Sequence, residues 1–365
     1  MMVKMENNLL KNLYNQEYIE KLSTALQSSH QRFEKEKFIN SIFDTSWQDL
    51  ELKERMRHIA ITMQKFLPNN YTKAIEILKI TFLKIGAGLT LENMIFQDYV
   101  QVYGLDEFDT SIQALEYFTI ESSSEFAIRH FIIRYPKQTM RQMKEWSKHK
   151  NHHVRRLASE GCRPRLPWAI FLHEFKEEPS LVLEILENLK DDESEYVRKS
   201  VANNLNDISK DNPEIVIQIA KEWIGENINR DKIIKHGCRT LLKNSNKDVL
   251  NIFGFNEPNN IKIENLKFTD KVNLGEELSF SFDINSNKNL GKLRIEYAIN
   301  FLRQNNKFSR KVFKISEGIF NQKQKFVEKK YSFKQITTRK YYQGIHALTI
   351  IINGKEFSTT TFSLN

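Results

Sequence analysis

Two cysteines, Cys162 and Cys238, are all that the 365 residues contain. So few exclude a disulfide framework, and no His/Cys pair stands at metal-ligand spacing, so a structural zinc site is not expected either. Long apolar runs are also missing. No stretch approaches the ~18 apolar residues that a transmembrane helix needs, so no membrane partner is expected. The opening MMVKMENNLLKNLYNQEYIEK has no apolar signal core and no small-residue cleavage site, which leads to the expectation of a cytoplasmic protein. The chain has no Gly-rich phosphate loop, HExxH, GxSxG or CxxC, so the common short catalytic motifs are absent.

What the chain does have is enough apolar residue, 40%, for a sizeable core, and a charge that is unevenly spread. Residues 259–365 hold 19 Lys+Arg against 9 Asp+Glu, whereas residues 1–258 hold 36 against 37. The C-terminal third therefore carries the whole net charge of +9. A basic module joined to a balanced one points to nucleic acid as partner. The plainer alternative is that lysines keep a β-rich module soluble and guard its edges.

The first part reads as helices. LELKERMRHIAITMQKFLP sets Leu52, Met56, Ile59, Met63 and Phe66 three and four residues apart, and Pro68 closes the helix. YTKAIEILKITFLKIG places Ile75, Leu78, Phe82 and Leu83 on one side, with Gly86 as a stop. FDTSIQALEYFT repeats the rhythm with Ile112, Leu115 and Phe118. Three segments resemble one another, each with an aliphatic residue before arginine: Ile128-Arg129, Val154-Arg155 and Val197-Arg198. Their unequal spacing describes a degenerate HEAT-like array whose stacked units create a binding surface.

Near Glu257-Pro258-Asn259-Asn260 the period changes from 3.6 to 2. LSFSFDI alternates Leu278, Phe280, Phe282 and Ile284; LRIEYAINF alternates Leu293, Ile295, Tyr297, Ile299 and Phe301. Asn353-Gly354 between two strand-like runs is a two-residue hairpin signal. The expected fold class is thus multidomain α + β: an all-α HEAT-like repeat solenoid over 1–256, then an antiparallel, immunoglobulin-like β-sandwich over 260–365 of about seven strands.

The candidate chemistry lies in the helical part. Glu160 stands four residues after Arg156 and shares its helix face; an ordinary helical ion pair is the bland explanation. Trp168 follows Pro167, which is expected to open the next helix, with the indole at its first turn or in the core. Asp207, with Asn203 and Asn204, makes a polar face too dense for core, fit to cap a helix end or line a groove. Glu125 has a plain role at a helix N-terminus, and Arg155 and Arg198 one in inter-repeat salt bridges. Arg163 and Arg165 flank Pro164 in a loop, where phosphate contacts fit. Three carboxylates and a tryptophan with arginines beside them suit a cationic ligand: the indole offers a cation–π contact and the carboxylates stabilise developing positive charge. In the basic tail, Arg339, Lys340, Tyr341 and Tyr342 of TTRKYYQGIH and the run NNKFSRKVFK are nucleic-acid candidates, or else a solvated strand edge.

At HHVRRLASEGCRPRLPWA the sequence resembles the AlkC family of bacterial DNA glycosylases, relatives of the AlkD-type HEAT-like enzymes. LELKERMRHIAITMQKFLPNNY, SSEFAIRHFIIRYP and VRKSVANNLNDISKDNPE extend the resemblance along nearly the whole helical part, and the β-rich tail resembles the immunoglobulin-like domain of the family's longer branch. The resemblance implies excision of cationic alkylated bases, chiefly 3-methyladenine and with it 3-methylcytosine, without metal or organic cofactor and without base flipping. It places Glu125, Glu160, Trp168 and Asp207 on the active-site positions, with Arg156 orienting Glu160. The partner implied is double-stranded DNA, gripped by the helical part and, through the basic tail, from the other side, by a nucleoid-associated monomer. The rival reading is non-catalytic: a scaffold that binds protein, or a sensor that binds damaged DNA without cutting it, with Glu160 and Asp207 as salt-bridge partners.

Overall fold

A computed structural model describes residues 9–86, 88, 91–336 and 339–365. The first eight residues of the opening segment and Thr337-Thr338 of the basic loop lie outside them. Among the described residues, sixteen α-helices precede eight strands. The compact units are Met1–Asn212 with Asn227–Gly237, and Pro213–Glu226 with Cys238–Asn365. The change of period at 257–260 coincides with the first strand, β1 (Ile261–Phe268), while the contact division falls earlier.

In the first unit the sequence periodicity becomes buried faces. The helices are α1 (Gln16–Ser29), α2 (Lys35–Ile42), α3 (Leu52–Gln64), α4 (Tyr71–Ile85), α5 (Met94–Tyr103) and α6 (Phe108–Thr119). Next come α7 (Ile128–Arg134), α8 (Pro136–Trp146), α9 (His152–Gly161), α10 (His173–Glu177), α11 (Ser180–Leu189) and α12 (Glu195–Ile208). Met56, Ile59 and Met63 of α3 are buried, and a capping box of Glu51 and Glu54 starts the helix. Helix α4 buries Ile75, Leu78 and Phe82 and ends at Gly86 with φ +82°. Leu83 departs from expectation: it is 69% exposed, and Ile85, three residues after Phe82, fills the core instead.

The repeat similarity has a physical content. Arg155 Nη1 donates to the carbonyls of His149 and Lys150 at 3.0 and 2.9 Å, and Arg198 Nη1 donates to those of Asp192 and Glu193 at 2.6 and 2.8 Å. Each arginine thus ties its helix to the loop that leads into it. Arg155 also forks onto Asp192 at 2.6 and 3.0 Å, which links successive repeats as a salt bridge. Helix α9 packs on α12, and α12 on α14 (Ile228–Gly237). Small side chains make the approach close: Ser200 Oγ meets Ser159 Oγ at 3.0 Å, and Asn204 Nδ2 donates to the Ser159 carbonyl at 2.8 Å.

The second unit holds α13 (Pro213–Trp223), α15 (Arg239–Lys243), α16 (Lys247–Ile252) and two sheets. The remaining strands are β2 (Lys271–Val272), β3 (Glu277–Ser286), β4 (Gly291–Leu302), β5 (Phe308–Phe320), β6 (Gln324–Ser332), β7 (Gly344–Ile352) and β8 (Lys355–Leu364). One sheet has order β1-β3-β6 and the other β2-β8-β7-β4-β5; every pair is antiparallel except the short β2–β8. The alternating residues of β3 and β4 meet in one core with Leu348, Ile350 and Ile352 of β7. Asn353 and Gly354 carry φ of 45° and 78° in the β7–β8 turn. Asn353 also accepts from the Arg294 amide at 2.7 Å and donates to the Asn256 carbonyl at 2.8 Å, so the turn holds the segment ahead of β1.

Gly161 ends α9 where that helix meets α7. A Cβ there would lie 2.6 Å from Ile128 Cγ2. Gly161→Ala is therefore expected to lower stability by about 1–3 kcal/mol through overpacking, read by denaturant unfolding.

Candidate active site

Helix α9 starts at the N-cap Asn151, whose side chain accepts from the His153 amide. It carries Arg156 and Glu160 one turn apart, and its last turn runs on far enough for the Arg163 amide to reach the Glu160 carbonyl at 3.3 Å. Glu160 and Arg163 therefore meet at i,i+3, while Pro164 ends the run. Asp207 lies in the last turn of α12, which packs alongside. Glu125 stands in the turn three residues ahead of α7, not inside the helix.

These side chains form an alternating line of six charges. Glu125 pairs with Arg156, whose Nη2 also faces Glu160 Oε1 at 3.4 Å. Arg163 Nη1 donates to that same Glu160 oxygen at 2.7 Å, and its Nε and Nη2 face Asp207 Oδ2 at 2.9 Å. Lys210 Nζ completes the line on Asp207 Oδ1 at 2.9 Å. Ser200 Oγ donates to Glu160 Oε2 at 2.6 Å, and Ser123 donates to Glu125. Asp207 and Glu160 are the most enclosed side chains, 3% and 7% exposed, whereas Lys210 is 37% exposed.

Burial pushes the Glu160 carboxyl up, but Arg156, Arg163 and the Ser200 hydroxyl outweigh it and hold it below the usual carboxylate range. Arg156 and Arg163 are held more firmly charged than usual, because their carboxylate partners outweigh burial. Glu160 is thus an oriented group that is ionised at neutral pH. The cluster carries no excess of negative charge: three carboxylates face three protein cations. Among the described residues no group of three His, Cys, Asp or Glu side chains could hold a metal ion.

Arg163 was expected in a loop facing phosphate. Its guanidinium is instead buried between two carboxylates, so that assignment is corrected. Arg165 is more open but forks onto Asp211 at 2.9 and 2.6 Å. Trp168 also differs from expectation. Pro167 and Trp168 form a turn, not the first turn of a helix. The indole is 63% exposed, and it makes no hydrogen bond, ion pair or ring contact with the charged line. The residue has φ +62°, a left-handed conformation costing an L-residue about 1–2 kcal/mol. Phe171 and Ile170 of the same loop are exposed as well.

The sequence reading missed Lys210, Ser200, Ser123 and Tyr196. Tyr196, 44% exposed, lies under the Arg156 guanidinium, 5.0 Å from ring centroid to Cζ. Lys210 had a readable signal, its i,i+3 spacing from Asp207; Tyr196, in the first turn of α12, had none.

In the second unit Arg339 and Tyr341 are drawn into aromatic packing, not left open at a strand edge. The Arg339 guanidinium lies 4.6 Å from the Phe301 centroid and donates to Tyr331 Oη at 2.6 Å; Tyr341 and Tyr331 hydroxyls meet at 3.0 Å. Lys340 stays exposed, 5.5 Å from the Tyr342 ring. Arg303, Lys307, Phe308 and Tyr342 line an open cleft beside it.

Residues 106–241 match the family model described as "DNA alkylation repair enzyme", and residues 262–365 match the C-terminal Ig-like domain of the YhaZ model. The chain is 44% identical over 357 residues to the uncharacterized protein YhaZ of Bacillus subtilis (strain 168), covering 97% of this chain and 99% of that protein. Its structure is similar to that of the Pseudomonas fluorescens alkylpurine DNA glycosylase AlkC, solved bound to DNA containing an abasic site analog. The TM-score is 0.93 at 34% identity, over 98% of this chain and 99% of that one. Alike along almost its entire length to both proteins, the chain belongs to the AlkC family of DNA alkylation repair enzymes with a C-terminal Ig-like domain.

Proposed function

We propose that the protein is a monofunctional DNA glycosylase that hydrolyses the N-glycosidic bond of cationic alkylated bases, chiefly 3-methyladenine and also 3-methylcytosine. The observation that carries this reading is the buried bridge in which Arg163 holds the Glu160 and Asp207 carboxylates side by side. A base methylated to a cation leaves as a neutral molecule and takes the bonding electron pair, so no general acid is required. Positive charge appears on the sugar instead. Ionised, fixed carboxylates are what stabilise it, and Glu160 is held in that form. Water, aligned by Asp207 and Glu160 with Glu125 in support, then adds at C1′, and its proton passes by way of Asp207 to solvent.

Lys210 is the exposed partner in the line, and a DNA phosphate would compete for it, leaving Asp207 Oδ1 to the sugar. Trp168 stacks against the deoxyribose or the lesion, and the base stays in or near the stack. In the tail the exposed Lys340 and the neighbouring basic cleft make the backbone contacts, with Arg339 and Tyr341 as their packed support. The protein acts as a monomer on double-stranded DNA in the cytoplasm, at the nucleoid, and needs no cofactor. A sensor that binds damage without cutting is the second reading. It is favoured by the full pairing of the carboxylates, which a structural ion network would share.

Incubation with methylated DNA, followed by chromatography of released bases, separates the two. Wild type is expected to release 3-methyladenine, and Glu160→Gln and Asp207→Ala to lose about 10²–10³ in rate, the scale of a lost electrostatic stabiliser. Damage-selective DNA binding with no release would establish the sensor. The ionisation state is tested by unfolding. The Glu160 carboxyl is lowered in the folded protein, so its stabilising contribution is complete above the ordinary value of 4.5 and is lost as pH falls through the lower folded value. The stability gap between wild type and Glu160→Gln should thus be constant at neutral pH and shrink only below about pH 4.5.

A further inference from the structure

Trp168 holds a backbone conformation that its own side chain disfavours. Its φ of 62° lies where glycine is the usual occupant. Such a conformation persists only where the surroundings over-determine it, and it concentrates at functional sites. Two side chains from distant helices supply the constraint. From α7, the fully buried Arg129 donates through Nη1 to the carbonyls of Gly161 and Arg163 at 2.9 and 2.7 Å, and through Nε to that of Ile170 at 2.8 Å. Arg129 thereby fastens both ends of the loop.

The tip is held separately. From α3, Lys53 Nζ donates to the Trp168 carbonyl at 2.8 Å, across 115 residues of sequence. The same ammonium lies 4.5 Å from the centroid of the Phe126 ring, and Phe126 directly follows Glu125. One cation therefore touches both the turn that presents Trp168 and the turn that presents Glu125. A compact ammonium with three donors suits this position, since it can serve a carbonyl and a ring face at once.

We propose that Lys53 is a positioning residue: it latches Trp168 in its left-handed, outward-facing conformation and fixes the spacing between Trp168 and the Glu125 turn before DNA arrives. Without the latch, an exposed indole on a strained turn relaxes toward the neighbouring apolar surface of Ile170 and Phe171, and its ordering must be supplied on the way from the bound complex to the transition state. The proposal rests on the reading that Trp168 meets the substrate.

Trp168 reports on itself, because Trp47, Trp146 and Trp223 are buried and it alone of the four tryptophans is exposed. Full-length Lys53→Met, Lys53→Arg and Trp168→Ala are compared with wild type by acrylamide quenching, red-edge emission anisotropy and single-turnover excision of 3-methyladenine. Lys53→Met is expected to lower the anisotropy and to slow excision by about 10–100-fold, the scale of a misplaced positioning group, with substrate affinity changed far less. Lys53→Arg is expected to restore both signals in large part. Unchanged anisotropy in Lys53→Met, or a lowered anisotropy with wild-type excision, would overturn the latch. Wild-type excision by Trp168→Ala would instead overturn the role of Trp168, whatever Lys53→Met does to its emission.

Discussion

The salt bridge of Arg163 to both Glu160 and Asp207 is the interaction on which the proposed chemistry of the helical unit depends. A single guanidinium joins the end of one repeat helix to the end of the next, inside the protein. Two carboxylates this enclosed would each carry a large desolvation penalty and repel one another without it. Removing one partner of such a buried set typically costs about 3–5 kcal/mol, because the other charges stay behind. The planar fork also fixes geometry: three nitrogens reach two carboxylates in one arrangement, which a point charge could not specify. Arg156 and Lys210 extend the line at either end, toward Glu125 and toward solvent.

The rest of the unit can be seen as the support of that line. Gly161 and the serines at 159 and 200 let α7, α9 and α12 approach closely enough for side chains from three repeats to meet. Arg155 and Arg198 lock each helix to its entering loop and so fix where the charges fall. Arg129 and Lys53 bring the 161–170 loop to the same neighbourhood while leaving its apolar side chains exposed. Exposed tryptophan, isoleucine and phenylalanine beside a buried charge cluster form a surface with one side for an apolar face and one for charge.

Much of this was legible in the sequence. Helical spacing exposed the cores of α3, α4 and α6, and alternation with Asn353-Gly354 exposed β3, β4 and the β7–β8 hairpin, because local period decides which side chains share a face. The two-residue β2 and its parallel pairing were not legible, since nothing local marks so short a strand. In the site, the i,i+4 spacing of Arg156 and Glu160 announced their pairing. The i,i+3 spacing of Glu160 and Arg163 was equally present, but Pro164 suggested that the helix had already ended. The pairing of Arg163 with Asp207 spans 44 residues, and that of Lys53 with Trp168 spans 115; both are set by repeat stacking, which sequence patterns leave undetermined. The left-handed turn at Trp168 was hidden for the same reason, because its cause lies in α3 and α7.

In the proposed reaction the two bridged carboxylates stabilise the breaking bond, and Arg163 holds them in place for it. Arg163→Lys tests it most directly, because it keeps the buried charge but cannot fork onto both groups. Single-turnover excision of 3-methyladenine by the folded protein should fall by about 10²-fold or more, with DNA affinity near wild type. Excision at the wild-type rate by a folded Arg163→Lys protein would show that the fork onto both carboxylates is not needed for the reaction.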